Sequence, residues 1–520
     1  MNSIRLSSNS IKMILAAASG LMLTCSFPKI GWHYMAWVSL VPLLVCLKDT
    51  SPFNGFRLGL VSGLVHQVTL IYWMTITMHQ YGQLPWVVSI PVMLLMAFYL
   101  ALYVAAFSWL LVRYIQKPLL RMISIPILWV ALEYLRANLL TGFPWELLGY
   151  SQYANLHWIQ LADFSGVYGV SFLIALVNAT LFFTLQALLN KKNAPRVSWP
   201  FVLGVPASGL AILMLVWLYG DYRIQQTDEQ IKHSPFSRIG IVQGNIEQNM
   251  KWDPSFQEAT VRKYVELSLG IKPRAPELIV WPETATPFYF LYDETLSKMV
   301  VEGIRQAGTD FLFGAPSFFM KDNDLHYFNS AYLVDAEGSV KGKYDKVHLV
   351  PFGEYVPLKK WLPFIGKMVE HVGDFQAGPK GSFIPWKDFR LGILICYEGI
   401  FPDLAREAVK NGASVLINIT NDAWYGRTSA PYQHFSMAVF RAVENHRSLV
   451  RSANTGFSGF IDPSGRILSS TELFEDAAFT QTVPLLSGLT AYARMGDVFA
   501  LLCLVLSPVL VLTGGLRPKP

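Results

Sequence analysis

Apolar positions fall into two regimes along the chain. Up to about residue 220 they run in long unbroken blocks. The blocks at about 12–28, 31–47, 57–78, 86–112, 120–137, 166–189 and 199–219 predict seven membrane-spanning helices, and 497–514 predicts an eighth. A span needs roughly 20 apolar residues, with tilt allowing about 17 to 25. The second and fifth blocks are short by that measure. The first, with Arg5 and Lys12 before it, also fits a secretory signal peptide. A weak cleavage signal and six further blocks favour a span.

Between about 222 and 490 the pattern changes to short apolar runs alternating with amphipathic stretches. Strands are expected at Arg238–Gln243, Glu277–Trp281, Phe311–Gly314, Ser330–Val334, Leu391–Cys396, Val415–Ile419 and Ser458–Ile461. Helices are expected at Ser255–Leu269, Leu296–Gln306, Pro402–Lys410 and Gln433–Glu444. Asp335 to Gly338 and Asp462 to Gly465 carry turn signals. Such alternation predicts one α/β domain of roughly 270 residues. The expected organisation is a multi-pass α-helical membrane domain at 1–221, a soluble domain at 222–490, and a final span with a short tail at 491–520.

Composition agrees with a membrane protein: 520 residues, 52% hydrophobic and 15% charged, against a usual charged share of about 25%. Mean hydropathy is +0.34. The net charge of +6 could suggest nucleic acid, but the distribution of the basic residues argues otherwise. With a cytoplasmic N-terminus, the inside segments carry twelve lysines and arginines, from Arg5 to Lys519, and the short outside loops carry Lys29 and Arg136. By the positive-inside rule both termini are cytoplasmic. The soluble domain then lies outside the cytoplasm, which in a bacterium is the periplasm. Glu133 and Arg136 sit three residues apart and are expected to pair on one helix face. The loop 142–152, with Trp145 and Tyr150, fits an aromatic belt at the outer interface, or a lip over which a lipid passes. Pro357 to Phe364 could be an amphipathic arm dipping into the interface or an ordinary surface loop.

Chemistry concentrates in three segments of the soluble domain. Leu278 to Ala285 is an apolar strand ending in Glu283. Lys343 to Glu354 offers Lys346. Phe389 to Glu398 is a buried strand that carries Cys396 to its end, just before a helical segment. Cys25, Cys46 and Cys503 all lie in apolar blocks, so Cys396 has no disulfide partner in the soluble part. A lone cysteine on an apolar strand is by default a small hydrophobe. The other two segments change that reading. A free thiol has a pKa near about 8.5 and needs a base within reach. Glu283 can serve as that base. Lys346 and the Tyr397 amide can stabilise the oxyanion formed when a thiol attacks a carbonyl. His348 and His434 are alternative partners for a Cys–His dyad, though dedicated Glu and Lys segments argue against it. The soluble domain has no CxxC or HExxH pattern, so no metal is expected.

These segments also resemble a known family. WPETA at 281–285, the KYDKVHLVPFGEYVP run from Lys343, ICYE at 395–398 and NDAWYG at 421–426 are similar to the carbon–nitrogen hydrolase (nitrilase) superfamily. Flanking spans narrow the resemblance to the apolipoprotein N-acyltransferases. The loop FPW…LGYSQ, QGNIEQNMKWD at 243–253 and the run from Gln433 to Gly456 match that family too, so nearly the whole chain is covered. The resemblance implies an αββα sandwich and a Glu283–Lys346–Cys396 triad. It also implies supporting roles for Glu354, Tyr397 and Glu398, and a substrate site lined by Gln248, Trp252 and Trp424. By the same resemblance the expected reaction is ping-pong transfer of an acyl chain from a phospholipid, through a thioester on Cys396, to the α-amino group of a diacylated apolipoprotein. The expected place is the bacterial inner membrane, with no cofactor and no nucleic-acid partner, as a monomer. Competing readings are a membrane-tethered amidase that transfers to water, and a non-catalytic lipid-binding scaffold.

Overall fold

The structure is a computed structural model that describes residues 9–190, 199–321, 323–355 and 375–515. The chain separates into two compact units: Met1–Thr75, Trp86–Ile224 and Met495–Pro520 form one, and Ile76–Pro85 with Gln225–Arg494 form the other.

Uninterrupted apolar sequence makes the first unit helical. Among the described residues four helices are long and apolar enough to cross a membrane: Trp86–Tyr114, Pro118–Asn138, Val167–Leu189 and Gly204–Lys232. A fifth results if Pro52–Leu70 and Trp73–Tyr81, bent by 47°, count as one. Asn9–Cys25, His33–Cys46 and Val498–Gly514 are shorter apolar helical stretches, so eight full spans are not evident. The second expected span is a 3-10 turn, His33–Trp37, followed by the six-residue helix Val41–Cys46 with Pro42 in its first turn. The seventh does not stop at 219: the helix Trp199–Lys232 runs on through polar residues.

Close helix approach in this unit depends on small residues. Gly59 and Gly63 face the helix Trp86–Tyr114. A Cβ on Gly63 would lie 2.9 Å from Ala101 Cα, and one on Gly59 would lie 2.6 Å from the Val104 carbonyl. Glu133 and Arg136 both hold the loop that follows their helix. Glu133 accepts from the Leu148 amide at 2.7 Å, and Arg136 donates to the Trp145 and Glu146 carbonyls at 3.3 Å each. Trp145 and Tyr150 are consequently fully buried and form no interfacial belt.

In the second unit, alternating residues build two six-stranded sheets. The first has the order β12-β1-β2-β3-β4-β5 and the second β11-β10-β9-β8-β7-β6. The strands are β1 Phe236–Gln243, β2 Leu278–Val280, β3 Asp310–Lys321, β4 Asp324–Val334, β5 Val340–Asp345, β6 Ile384–Trp386, β7 Phe389–Ile395, β8 Val415–Thr420, β9 Ser448–Ala453, β10 Gly459–Ile461, β11 Ile467–Ser470 and β12 Ala477–Pro484. Side chains of a strand point alternately to its two faces. Ile239, Ile241 and Val280 therefore meet Ile393, Ile417 and Val450 of the other sheet in one core. Val242, Ile279 and Phe311 point the other way, onto the helices Pro254–Ile271 and Glu294–Ala307. Asp253 and Asp293 cap these two helices. The helices Pro402–Lys410 and Ala430–Asn445 pack against the second sheet. The result is a helix–sheet–sheet–helix sandwich.

β1, β2 and β3 are mutually parallel, as are β7, β8 and β9. The two turn signals form turns: Gly338 N–H bonds to Asp335 O at 2.8 Å and Gly465 N–H to Asp462 O at 2.9 Å. The strand that leads to Cys396 ends one residue earlier than expected. β7 stops at Ile395, and Cys396 opens a 3-10 turn at φ +53°. Pro357 to Phe364 lies outside the described residues.

Candidate active site

Four residues of the site follow the C-terminal ends of strands. Glu283 comes after β2, Lys346 after β5, Cys396 after β7 and Asn421 after β8. In α/β sheets the loops at the carboxyl ends of parallel strands are where sites assemble. Here the two sheets contribute loops to one place.

Glu283 is buried and fully engaged. Its Oε1 accepts from Asn329 Nδ2 at 2.7 Å and its Oε2 from the Asn421 amide at 2.9 Å. The Lys346 ammonium is 3.7 Å from Oε1. Lys346, 1% exposed, also pairs with Glu354 at 2.9 Å. Burial alone would lower its pKa, but Glu354 and Glu283 outweigh burial and hold the ammonium above the usual lysine range. Glu354 is fixed in turn by Asn329 Nδ2 at 2.8 Å and the Val350 amide at 2.8 Å. Backbone sterics let Glu283 sit close to β3: a Cβ on Gly314 would come within 2.7 Å of Glu283 Cα, so only glycine fits there.

Cys396 is buried beside these charges. Burial, and then Glu283, push its thiol up to about 12, with Lys346 opposing. A thiol so placed is protonated at neutral pH and becomes a nucleophile only when a base removes its proton. Glu398 braces the turn. Its carboxylate accepts from the Ile395 amide at 2.7 Å, from Val347 at 2.6 Å and His348 at 3.0 Å, and from the Tyr344 hydroxyl at 3.1 Å. One buried side chain thereby ties the Cys396 turn to the segment after Lys346. Burial pushes Glu398 up to about 7 against those donors, which favour the charged form. Tyr397 is buried next to Cys396, with its ring edge on Phe401 at 5.1 Å.

The expected lining residues are placed less uniformly. Gln248 joins the site, accepting from Asn421 Nδ2 at 2.6 Å. Trp424 sits in the loop after β8, where its carbonyl accepts from Thr77 Oγ1 at 2.9 Å and its ring meets the Tyr81 edge at 5.8 Å. Trp252 is half exposed, in the loop beside Lys251. Neither histidine forms a dyad. His348 stacks on Phe401 at 3.8 Å, and burial pushes it down to about 4. His434 Nε2 lies 3.2 Å from the Cys396 carbonyl oxygen.

Three residues of the site were not singled out from the sequence. Asn329 bridges the two carboxylates from the polar half of β4, which shows no apolar alternation. The Asn421 side chain is locked by Asn454 at 3.0 Å, from the loop after β9. Lys251 is 2% exposed and donates to the Glu283 carbonyl at 2.9 Å. Burial lowers its pKa to about 8, with Glu283 and Cys396 opposing. Its only sequence signal was its place in the run at 243–253.

This arrangement combines a buried carboxylate, a buried thiol and a fixed ammonium, groups of the kind that acyl transfer through sulfur uses. Both parts of the chain are similar to known proteins. Residues 19–180 match the domain family described as "Apolipoprotein N-acyltransferase N-terminal domain", and residues 238–489 match "Carbon-nitrogen hydrolase". A protein of Geobacter metallireducens called apolipoprotein N-acyltransferase is 46% identical over 493 residues, covering 94% of this chain and 92% of its own. One of the same name from Methylococcus capsulatus is 33% identical, covering 93% and 92%. Among solved structures, an amidase from Nesterenkonia sp. aligns with 51% of this chain and 94% of its own, at 19% identity and a TM-score of 0.37.

Proposed function

The chain belongs to the apolipoprotein N-acyltransferase family, and from that premise we propose that it N-acylates lipoproteins through a covalent thioester on Cys396. The observation that carries the reading is the grouping of Glu283, Lys346 and the Cys396 turn at one end of the sandwich.

In the first half-reaction Glu283 takes the Sγ proton as sulfur attacks the ester carbonyl of a phospholipid. The carbonyl electron pair moves to oxygen, where the Lys346 ammonium and the Tyr397 N–H stabilise it. Collapse expels the lysophospholipid oxygen, which receives the proton from Glu283. In the second half-reaction the α-amine of an S-diacylglyceryl cysteine attacks the thioester, and Glu283 accepts its proton. Collapse expels the Cys396 sulfur, which recovers the proton, and leaves an amide. A thioester is activated toward amines and persists where water is excluded. Glu354 and Glu398 hold Lys346 and the nucleophile turn. Gln248, Trp252 and Trp424 line the substrate path.

The apolar helices keep the site near bilayer-borne substrates. On this reading 1–221 is a membrane domain, 222–490 the catalytic domain and 491–520 a final anchor, with eight membrane-inserted segments. The catalytic domain faces the periplasm of the inner membrane, both termini face the cytoplasm, and the enzyme works as a monomer.

The test is the intact mass of the full-length protein after incubation with phospholipid and no acceptor. One added acyl mass is expected, labile to hydroxylamine and absent in Cys396→Ala. A diacylated lipopeptide should then discharge it faster than water does. No adduct would overturn the thioester, and discharge only to water would make the protein a hydrolase.

A further inference from the structure

Cys396 is held in the left-handed region, at φ +53°. Side chains other than glycine rarely adopt that conformation without support from their surroundings. The support comes from a cluster that the triad does not use. His434, fully buried, places Nε2 3.2 Å from the Cys396 carbonyl oxygen. Its Nδ1 lies 3.0 Å from Asp422 Oδ1 and 3.1 Å from Arg451 Nη2. Arg451 donates to Asp422 Oδ2 at 2.8 Å, to Asn418 Oδ1 and to the Phe457 carbonyl at 3.1 Å. Asp422 Oδ1 also accepts from Thr420 Oγ1 at 3.0 Å, and the Thr420 hydroxyl reaches the Cys396 thiol as well. All these charged groups are buried.

Hydrogen-bond logic fixes the ring. A carbonyl oxygen can only accept, so Nε2 carries the proton. Nδ1 faces both the Asp422 carboxylate and the Arg451 guanidinium; burial and Arg451 lower the ring's pKa, with Asp422 and the Cys396 carbonyl opposing. The ring is thus oriented by a buried Asp–Arg pair on its Nδ1 side, and its Nε2 side holds the Cys396 carbonyl.

We infer that His434 is a positioning residue. Its Nε2–H clamps the Cys396 carbonyl, and the clamp keeps the turn in the conformation that leaves the thiol beside Glu283 and Lys346. This rests on Cys396 being the nucleophile. It acts through the backbone, so its loss should slow sulfur attack and leave lipid binding alone.

The experiment is single-turnover acylation of the full-length protein by phospholipid vesicles in wild type, His434→Leu, His434→Gln and His434→Asn. KM for phospholipid and melting temperature are measured alongside. Gln can present an N–H at the Nε2 position and Asn is too short. Leu and Asn are expected to acylate about 100-fold more slowly, the scale of a misplaced reacting group. KM should stay within about threefold, and Gln should recover to within about tenfold of wild type. Leu acylating within threefold of wild type, or Gln no faster than Asn, would overturn the clamp. If Leu does not fold, the Gln–Asn comparison decides. Acylation that persists in Cys396→Ala would instead remove the nucleophile, a separate failure.

Discussion

Lys251 stands behind Glu283 as a second buried lysine, and its charge is poorly sheltered. Its Nζ has the Glu283 carbonyl at 2.9 Å as an acceptor, but burial still lowers its pKa from 10.5 to about 8. The unfolded chain therefore binds a proton that the folded chain lacks between those two values. Stability contributed by this group is present above the unfolded pKa and is lost as pH falls through the folded one. Folding stability of the wild type relative to Lys251→Met should thus rise from pH 8 to pH 10.5, measured by denaturant titration at each pH. A constant difference would mean that Lys251 is not perturbed. The same substitution frees the Glu283 backbone, and acyl transfer should fall roughly 10–100-fold. At this scale the sequence was informative for Glu283 and Cys396, because each follows an apolar run, whereas Lys346 follows the polar run Val340–Asp345 and was picked out only by the family resemblance of its segment. It was silent on Asn329, whose partners lie 46 and 25 residues away.

Two turns, not two strands, meet at the site, and Glu398 is the joint between them. Its carboxylate gathers backbone amides from the Cys396 turn and from Val347 and His348. Glu398→Gln replaces an acceptor-only group with one that must point N–H groups at donors. A lost hydrogen bond to a charged group is worth roughly 1.5–3 kcal/mol, so a loss of about 2–4 kcal/mol is expected, read by denaturant titration with activity measured in parallel. Unchanged stability would mean the two turns hold each other without it. Elements with clear periodicity were legible: β1, β7 and β8, and the helix Pro402–Lys410. β9 was not, because Arg451 interrupts its apolar run, and that charge is buried with Asp422 at 2.8 Å and further acceptors on Asn418 and Phe457. β12 was not, because its partner β1 lies more than two hundred residues earlier and the pairing is antiparallel.

For the whole molecule, the proposed orientation carries its own test. The sandwich unit has one thiol, Cys396, and Cys25, Cys46 and Cys503 lie in apolar helical stretches. A thiol reagent that cannot cross the inner membrane should label Cys396 in cells whose outer membrane has been opened, in the absence of added lipid. The Cys396→Ala protein should lose that label. Labelling only after the cytoplasmic face is exposed would reverse the orientation. The count of inserted segments is a property of this scale as well. Hydropathy sees only composition, so it marked 31–47 as a span, whereas Pro42 and the turn His33–Trp37 break that block into short pieces.

Periodicity and composition by themselves determined that one part of this chain is apolar helix and the other an α/β layer structure, because burying apolar surface and pairing backbone groups are local demands. They also marked Glu283 and Cys396, since apolar strands leading to a Glu or a Cys are visible in one dimension, while Lys346 came from the resemblance of its segment to a family motif. What only the tertiary structure decided are contacts between groups far apart in sequence. Asn329 and Lys251 at Glu283, Glu398 between two turns, and Asp422 and Arg451 around His434 have no period and no fixed spacing. Their energy comes from satisfying charges and amides in a dry interior, and that need exists only once the sheets have closed over them.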